Sequence, residues 1–154
     1  MRFHTGFHAL HPNPGINFQL NRWISYLGDS ALDDMRSLGP RLIEFASFRR
    51  EFLALADRAE AQGRLLHAAY YLRSAEFFMW AGDPDKKDAR ARFLALLCQA
   101  LGIGEDQRMA VPYADGAVRA HLPAYRFTPP HPKGTIVVHG GYDDLPAFHE
   151  VYVE

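Results

Sequence analysis

Cysteine is nearly absent from this sequence: there is one, Cys98. No disulfide can form within the chain, which fits a reducing compartment, and the expected location is the cytoplasm. Cys98 sits in the apolar pattern "RFLALLCQAL", where a buried structural thiol is the plain reading. An excess of either charge is also missing. Lys and Arg total 17 against 18 Asp and Glu, a net charge of −1. A nucleic-acid partner would favour a basic face, so none is expected. No apolar run approaches the roughly 20 residues needed to span a bilayer, and no membrane partner is expected. The opening "MRFHTGFHALHPNPG" has no unbroken apolar core of the kind a signal peptide carries.

Apolar residues make up 48% of 154 positions, enough for one domain's core. The texture changes near residue 103, which divides the chain into a helical part, 1–102, and a strand-rich part, 103–154. A first helix is expected over Phe18–Leu27, ending at Gly28. Ser30 and Asp33 have the spacing of a capping box for a short second helix, stopped by Gly39-Pro40. Phe45, Phe48, Phe52, Leu55 and Ala59 recur at spacings of 3, 4, 3 and 4, one stripe of a helix from about Arg41 to Gln62. The next helix, Arg64 to Ala81, is apolar on two faces and should pack between two partners. Asp83-Pro84 then reads as the start of another helix, running to Gly102. A bundle of four or five helices results. No second copy recurs at a fixed period, so a repeat array is not expected.

Beyond residue 103, "RMAVPYADGAVRAHLPAYRF" reads as two strands around the turn signal Asp115-Gly116. After the connector "TPPHPKG", the run "TIVVH" suits a strand buried on both faces. "HGGYDD" is a turn, and "LPAFHEVYVE" has Phe148 and Val151 three apart, as a starting helix would. The expected class is α+β: a helical bundle, a β-hairpin, and a first buried strand, Thr135–His139. That strand needs neighbours on its edges. The natural polypeptide is therefore expected to continue past Glu154, or the chain to self-associate through Thr135–His139.

Three stretches in order, "GRLLHAAYYLRSAEFF", "VPYADGAVRAHLPAYRF" and "GTIVVHGGYDDLPAFHEVY", resemble the N-terminal portion of an α/β-hydrolase carrying a helical N-terminal domain. The group includes dihydropseudooxynicotine hydrolase and the fermentation-respiration-switch esterases. In that group a strand leads into a Gly-Gly-x-Asp turn and an acidic residue follows in the next helix. Here Gly140, Gly141, Tyr142, Asp143 and Glu150 match. The resemblance implies a serine hydrolase of small molecules, cleaving an ester, amide or activated carbon–carbon bond without metal or organic cofactor. It implies that the backbone N–H of Gly141 or Tyr142 serves the oxyanion hole, within a loop that includes His139, Gly140 and Asp143. Fixed donors matter there because charge develops on the carbonyl oxygen as it becomes tetrahedral. The chain departs from the pattern in having no Gly-x-Ser-x-Gly; its nearest string, "GDSAL" at Gly28, lacks the second glycine and lies in the helical part. In this fold nucleophile, acid and histidine follow the oxyanion strand in that order. No catalytic side chain is thus assigned within 1–154, and the chain alone should be inactive.

Other readings stand beside these. Asp143 and Asp144 suit the N-terminus of the following helix as well as acid–base work. His4, His8 and His11 are close in sequence, but prolines and glycines flank them and no third ligand completes a motif, so no metal site is assigned. His67 reads as a hydrogen-bonded core or interface residue. Among Tyr70, Tyr71, Phe77, Phe78 and Trp80 most should be core, with Tyr70 and Tyr71 the candidates to line a pocket because their hydroxyls need partners. The competing class is a stand-alone helical protein-interaction module with a β tail.

Overall fold

A computed structural model describes residues 7–138. The chain is α+β and divides between Leu101 and Gly102 into two compact units.

The first unit is helical. Helix α1, Pro14–Leu27, starts four residues earlier than the sequence pattern suggests. Asn13 is its cap, the side-chain Oδ1 accepting from the N–H of Gly15 at 2.9 Å and of Ile16 at 3.2 Å. Pro14, with no N–H to satisfy, takes the first helical position, so "HPNPG" is a start signal rather than a break. A 3₁₀ turn, Asp29–Ala31, leads into α2, Leu32–Leu38. The capping box expected of Ser30 and Asp33 does not form; Ala31 is the cap residue and no side chain bonds the helix start. Gly39–Arg41 is a second 3₁₀ turn. Gly39 is buried, and a Cβ there would run into the carbonyl oxygen of Leu10.

Helix α3 covers Phe45–Ala61. It begins four residues after the expected Arg41 because Ser47 organises the entry: its Oγ accepts from the N–H of Ile43 at 2.8 Å and of Glu44 at 2.9 Å. Phe48, Phe52, Leu55 and Ala59 are buried, as their stripe requires. Gly63, at φ 72°, turns the chain, and the N–H of Arg64 reaches back to the carbonyl of Ala59 at 2.9 Å. A left-handed residue at this point favours glycine. Helix α4, Leu65–Phe77, is buried continuously from Ala68 to Glu76. It packs against α3 on one side and α5, Lys86–Leu101, on the other. It ends short of Ala81 because Lys86 closes it: Nζ donates to the carbonyls of Glu76 at 2.9 Å and Met79 at 2.7 Å. Asp83 orders the turn before α5, its Oδ1 accepting from the N–H of Asp85 at 3.0 Å. Leu20, Met35, Leu38, Phe52, Tyr70 and Phe93 are fully buried at the centre of the unit, and Cys98 is buried in α5. Among the described residues no helix is long and apolar enough to cross a membrane.

The second unit contains an antiparallel hairpin, β1 Arg108–Asp115 and β2 Val118–Tyr125. Gly116, at φ 53°, is the first of the two loop residues, the place where a tight hairpin loop calls for a positive φ. Residues opposite one another share a face. Pairs Met109↔Ala124, Val111↔Leu122 and Tyr113↔Ala120, with Val118, make one face apolar except for Asp115 at the turn. The other carries Arg108, Pro112, Arg119, His121, Pro123 and Tyr125. Both prolines face non-proline partners, Pro112↔His121 and Ala110↔Pro123.

The expectation of a third strand is corrected as well. The buried strand over Thr135–His139 is not formed across Thr135–Val138, which has no regular structure. Ile136 and Val137 are 88% and 85% exposed. A strand exists through its ladder, and the sheet among the described residues has two strands only, β1 and β2. His139 lies outside the described residues.

Candidate functional site

The expected oxyanion loop, His139, Gly140, Gly141, Tyr142 and Asp143, lies outside the described residues, as do Asp144 and Glu150. Tyr70 and Tyr71 are both fully buried. Tyr70 stacks on Tyr26 with ring centres 5.4 Å apart and lies 6.0 Å from Trp23. Tyr71 lies 6.4 Å from Phe52 and donates its hydroxyl to Asp34 Oδ2 at 2.8 Å. Two open hollows, along the outer surface of α3 at Arg49 and Leu53 and on the hairpin at Pro112 and His121, are lined by neither tyrosine. The partner of Tyr71 leads instead to a polar seam between the Asp29–Leu38 segment and α4.

Two rungs cross this seam. In the first, Ser30 Oγ lies 2.9 Å from His67 Nε2. In the second, Asp34 Oδ2 accepts from Tyr71 and from Arg64 Nη1 at 2.7 Å. Ser30 and Asp34 are four apart on one segment, and Arg64, His67 and Tyr71 are spaced three and four on the other, so each set lies on one side of its helical segment. The rings of His67 and Tyr71 meet edge to face, with centres 6.1 Å apart.

The electrostatics follow from burial and from Asp34. Burial, then the Arg64 cation, pushes His67 below its ordinary value against the opposing pull of Asp34, so the imidazole is neutral at pH 7. Burial and the hydrogen bond to Asp34 push the Tyr71 phenol up, so it stays a donor. The bond to Asp34 holds the Arg64 guanidinium charged. Ser30 is exposed at the edge of the seam. The seam therefore holds a hydroxyl beside a neutral imidazole, next to a carboxylate that is already engaged.

A second cluster is structural in character. Glu76, fully buried on α4, faces Arg73, Lys86 at 3.3 Å and Arg90 at 2.6 Å. Burial opposes its ionisation, but these three cations outweigh burial and hold the carboxyl below its usual range. Its donors come from α4 and α5, so it fastens one helix to the other. Of the histidines near the N-terminus, His11 uses both ring nitrogens, Nε2 on the carbonyl of Leu42 at 3.1 Å and Nδ1 on the N–H of Asn13 at 2.9 Å. Among the described residues no group of three or more His, Cys, Asp or Glu is arranged to hold a metal ion.

Sequence reasoning passed over Ser30, Asp34 and Arg64 as a group. The spacings within each segment were readable, but nothing in the sequence sets the two segments side by side. Comparison with protein-family models, with curated proteins and with solved structures finds no match to this chain.

Proposed function

We propose that this chain is the front part of a cytoplasmic serine α/β-hydrolase acting on an ester, amide or activated carbon–carbon bond of a small molecule. The observation that carries the reading is the hairpin. One face is apolar yet exposed, with Met109, Val111, Tyr113, Val118 and Leu122 each 39–58% accessible. An exposed β-branched run, Thr135–Val138, follows it and leads to the Gly-Gly-x-Asp sequence. These are parts suited to a larger sheet, because a two-stranded hairpin is marginal alone in water. In this reading the oxyanion donor is the backbone N–H of Gly141 or Tyr142, and nucleophile, acid and histidine follow residue 154.

Sequencing the source DNA beyond the codon for Glu154 tests it. An open frame encoding a strand, Gly-x-Ser-x-Gly, and later an acid and a histidine is the expected result. A stop codon with no such pattern in any frame overturns it.

One observation favours a second reading, a helical interaction module with a β tail. The helical unit has its own closed core, centred on Leu20, Phe52, Tyr70 and Phe93. Size-exclusion chromatography with light scattering separates the two. A monomer or closed dimer that melts cooperatively supports the module; open-ended association through the second unit supports the hydrolase piece.

A further inference from the structure

We propose that Ser30 is a nucleophile with His67 as its general base, accepting an acyl group from small activated esters. Three exposed serines of the helical unit set the argument. Ser25, Ser30 and Ser37 each donate to the carbonyl three residues back, at 2.6, 3.0 and 2.9 Å. Ser30 differs from the other two by the imidazole nitrogen 2.9 Å from its Oγ. It also sits where a helix cap is expected, yet its side chain makes no cap bond, so capping does not account for its orientation.

The hydroxyl proton has two acceptors within reach, Leu27 O and His67 Nε2. With the imidazole proton on Nδ1, Nε2 accepts from Ser30, which is the reactive arrangement. With the proton on Nε2, the imidazole donates and Ser30 stays on Leu27. The two exchange by moving one proton through solvent. Burial and the Arg64 cation keep the ring neutral, so it has a lone pair to offer. The imidazole packs edge to face with the Tyr71 ring, which is itself fixed by its bond to Asp34.

With p-nitrophenyl acetate the step is an acyl transfer. Ser30 Oγ bonds to the carbonyl carbon while His67 Nε2 takes the hydroxyl proton. The bond from that carbon to the phenolic oxygen breaks, p-nitrophenolate leaves, and His67 returns its proton to solvent. Nothing is oxidised or reduced. The inference runs against one expectation of the hydrolase reading, that residues 1–154 alone are inactive. Acetylation mapped to Ser30 replaces that expectation, while the reading frame beyond the Glu154 codon tests the hydrolase reading separately.

The experiment treats the 154-residue chain with p-nitrophenyl acetate and maps the acetylated peptides by mass spectrometry over time. Ser30 is expected to react about 100-fold or more faster than Ser25 and Ser37, the lower end of what a positioned base contributes. His67→Gln is expected to bring Ser30 down to their rate. Equal rates at the three serines, or no change in His67→Gln, overturn the proposal. If His67→Gln does not fold, the pH profile of the unaltered chain decides. A Ser30 rate that falls as one imidazole is protonated supports the proposal, and a rate proportional to hydroxide concentration overturns it.

Discussion

The two units treat the same kinds of residue in opposite ways. In the helical unit, Leu20, Phe52, Tyr70, Tyr71 and Phe93 have no exposure at all. In the hairpin unit, Met109, Val111, Tyr113, Val118 and Leu122 retain 39–58% of theirs. The difference lies in geometry rather than composition. A helix closes its own backbone hydrogen bonds and needs partners only along a stripe. A hairpin leaves two edges and one apolar face to be dealt with by something else. Apolar side chains stabilise a fold through the area they lose to neighbours, so the same residues contribute far more in the first unit than in the second.

Core truncation should break this comparison most visibly. Phe52→Ala or Phe93→Ala should cost about 3–5 kcal/mol, and Leu122→Ala under roughly 1 kcal/mol, read as the shift in urea midpoint for the helical transition. Equal losses would mean that the hairpin is as fully packed as the bundle. Glu76→Gln should come next, at about 3–5 kcal/mol or less, because Arg73 and its neighbours keep their charge and lose the carboxylate between them. Gly39→Ala should cost about 1–3 kcal/mol, since the new methyl meets the Leu10 carbonyl rather than a movable side chain. At Gly82→Ala the nearest atoms to the new methyl are the far end of the exposed Trp80 ring, so this change should cost less, a contrast that thermal melts can read.

Acidification sharpens the comparison further, because His67 and Glu76, both shifted by their surroundings, belong to the helical unit. The folded pKa of His67 lies below its ordinary 6.5, so as pH falls through 6.5 the unfolded chain takes up a proton that the folded chain refuses. Its contribution is full above 6.5 and declines as pH falls towards the folded value. Glu76 acts in a lower window. Its contribution is full above the ordinary 4.5 and is lost as pH falls through its depressed folded value. Urea midpoints between pH 7 and 5 should therefore fall in the unaltered chain and fall less in His67→Gln. The smallest effect is expected from Val111→Thr: a change in helical stability within about 0.5 kcal/mol, with weaker association by light scattering.

Much of this fold is legible in the sequence, and the limits have physical causes. The stripe Phe48, Phe52, Leu55, Ala59 and the turn at Asp115-Gly116 are local patterns, and both appear where expected. Helix ends moved because caps compete. Asn13 starts α1 ahead of the periodic residues, Ser47 delays α3, and Lys86 closes α4 before its apolar run is spent. Thr135–Val138 has the composition of a strand, but composition supplies no ladder. The Ser30–His67 rung joins residues 37 positions apart, a distance at which local periodicity is silent.

The prolines of the hairpin bear on what can lie beside it. In an antiparallel ladder, opposed residues alternate between exchanging hydrogen bonds and turning their N–H groups outward. The bond from Arg126 N–H to the Gln107 carbonyl makes that pair an exchanging one, which by alternation puts the pairs holding Pro112 and Pro123 in the outward class. Neither proline interrupts the hairpin itself. Each instead removes one donor from an outer margin, Pro112 from β1 and Pro123 from β2. A neighbouring strand would find a blank on either side, and must align so that its own carbonyl there is answered by water. The two margins thus filter which strands, and which registers, can extend this sheet.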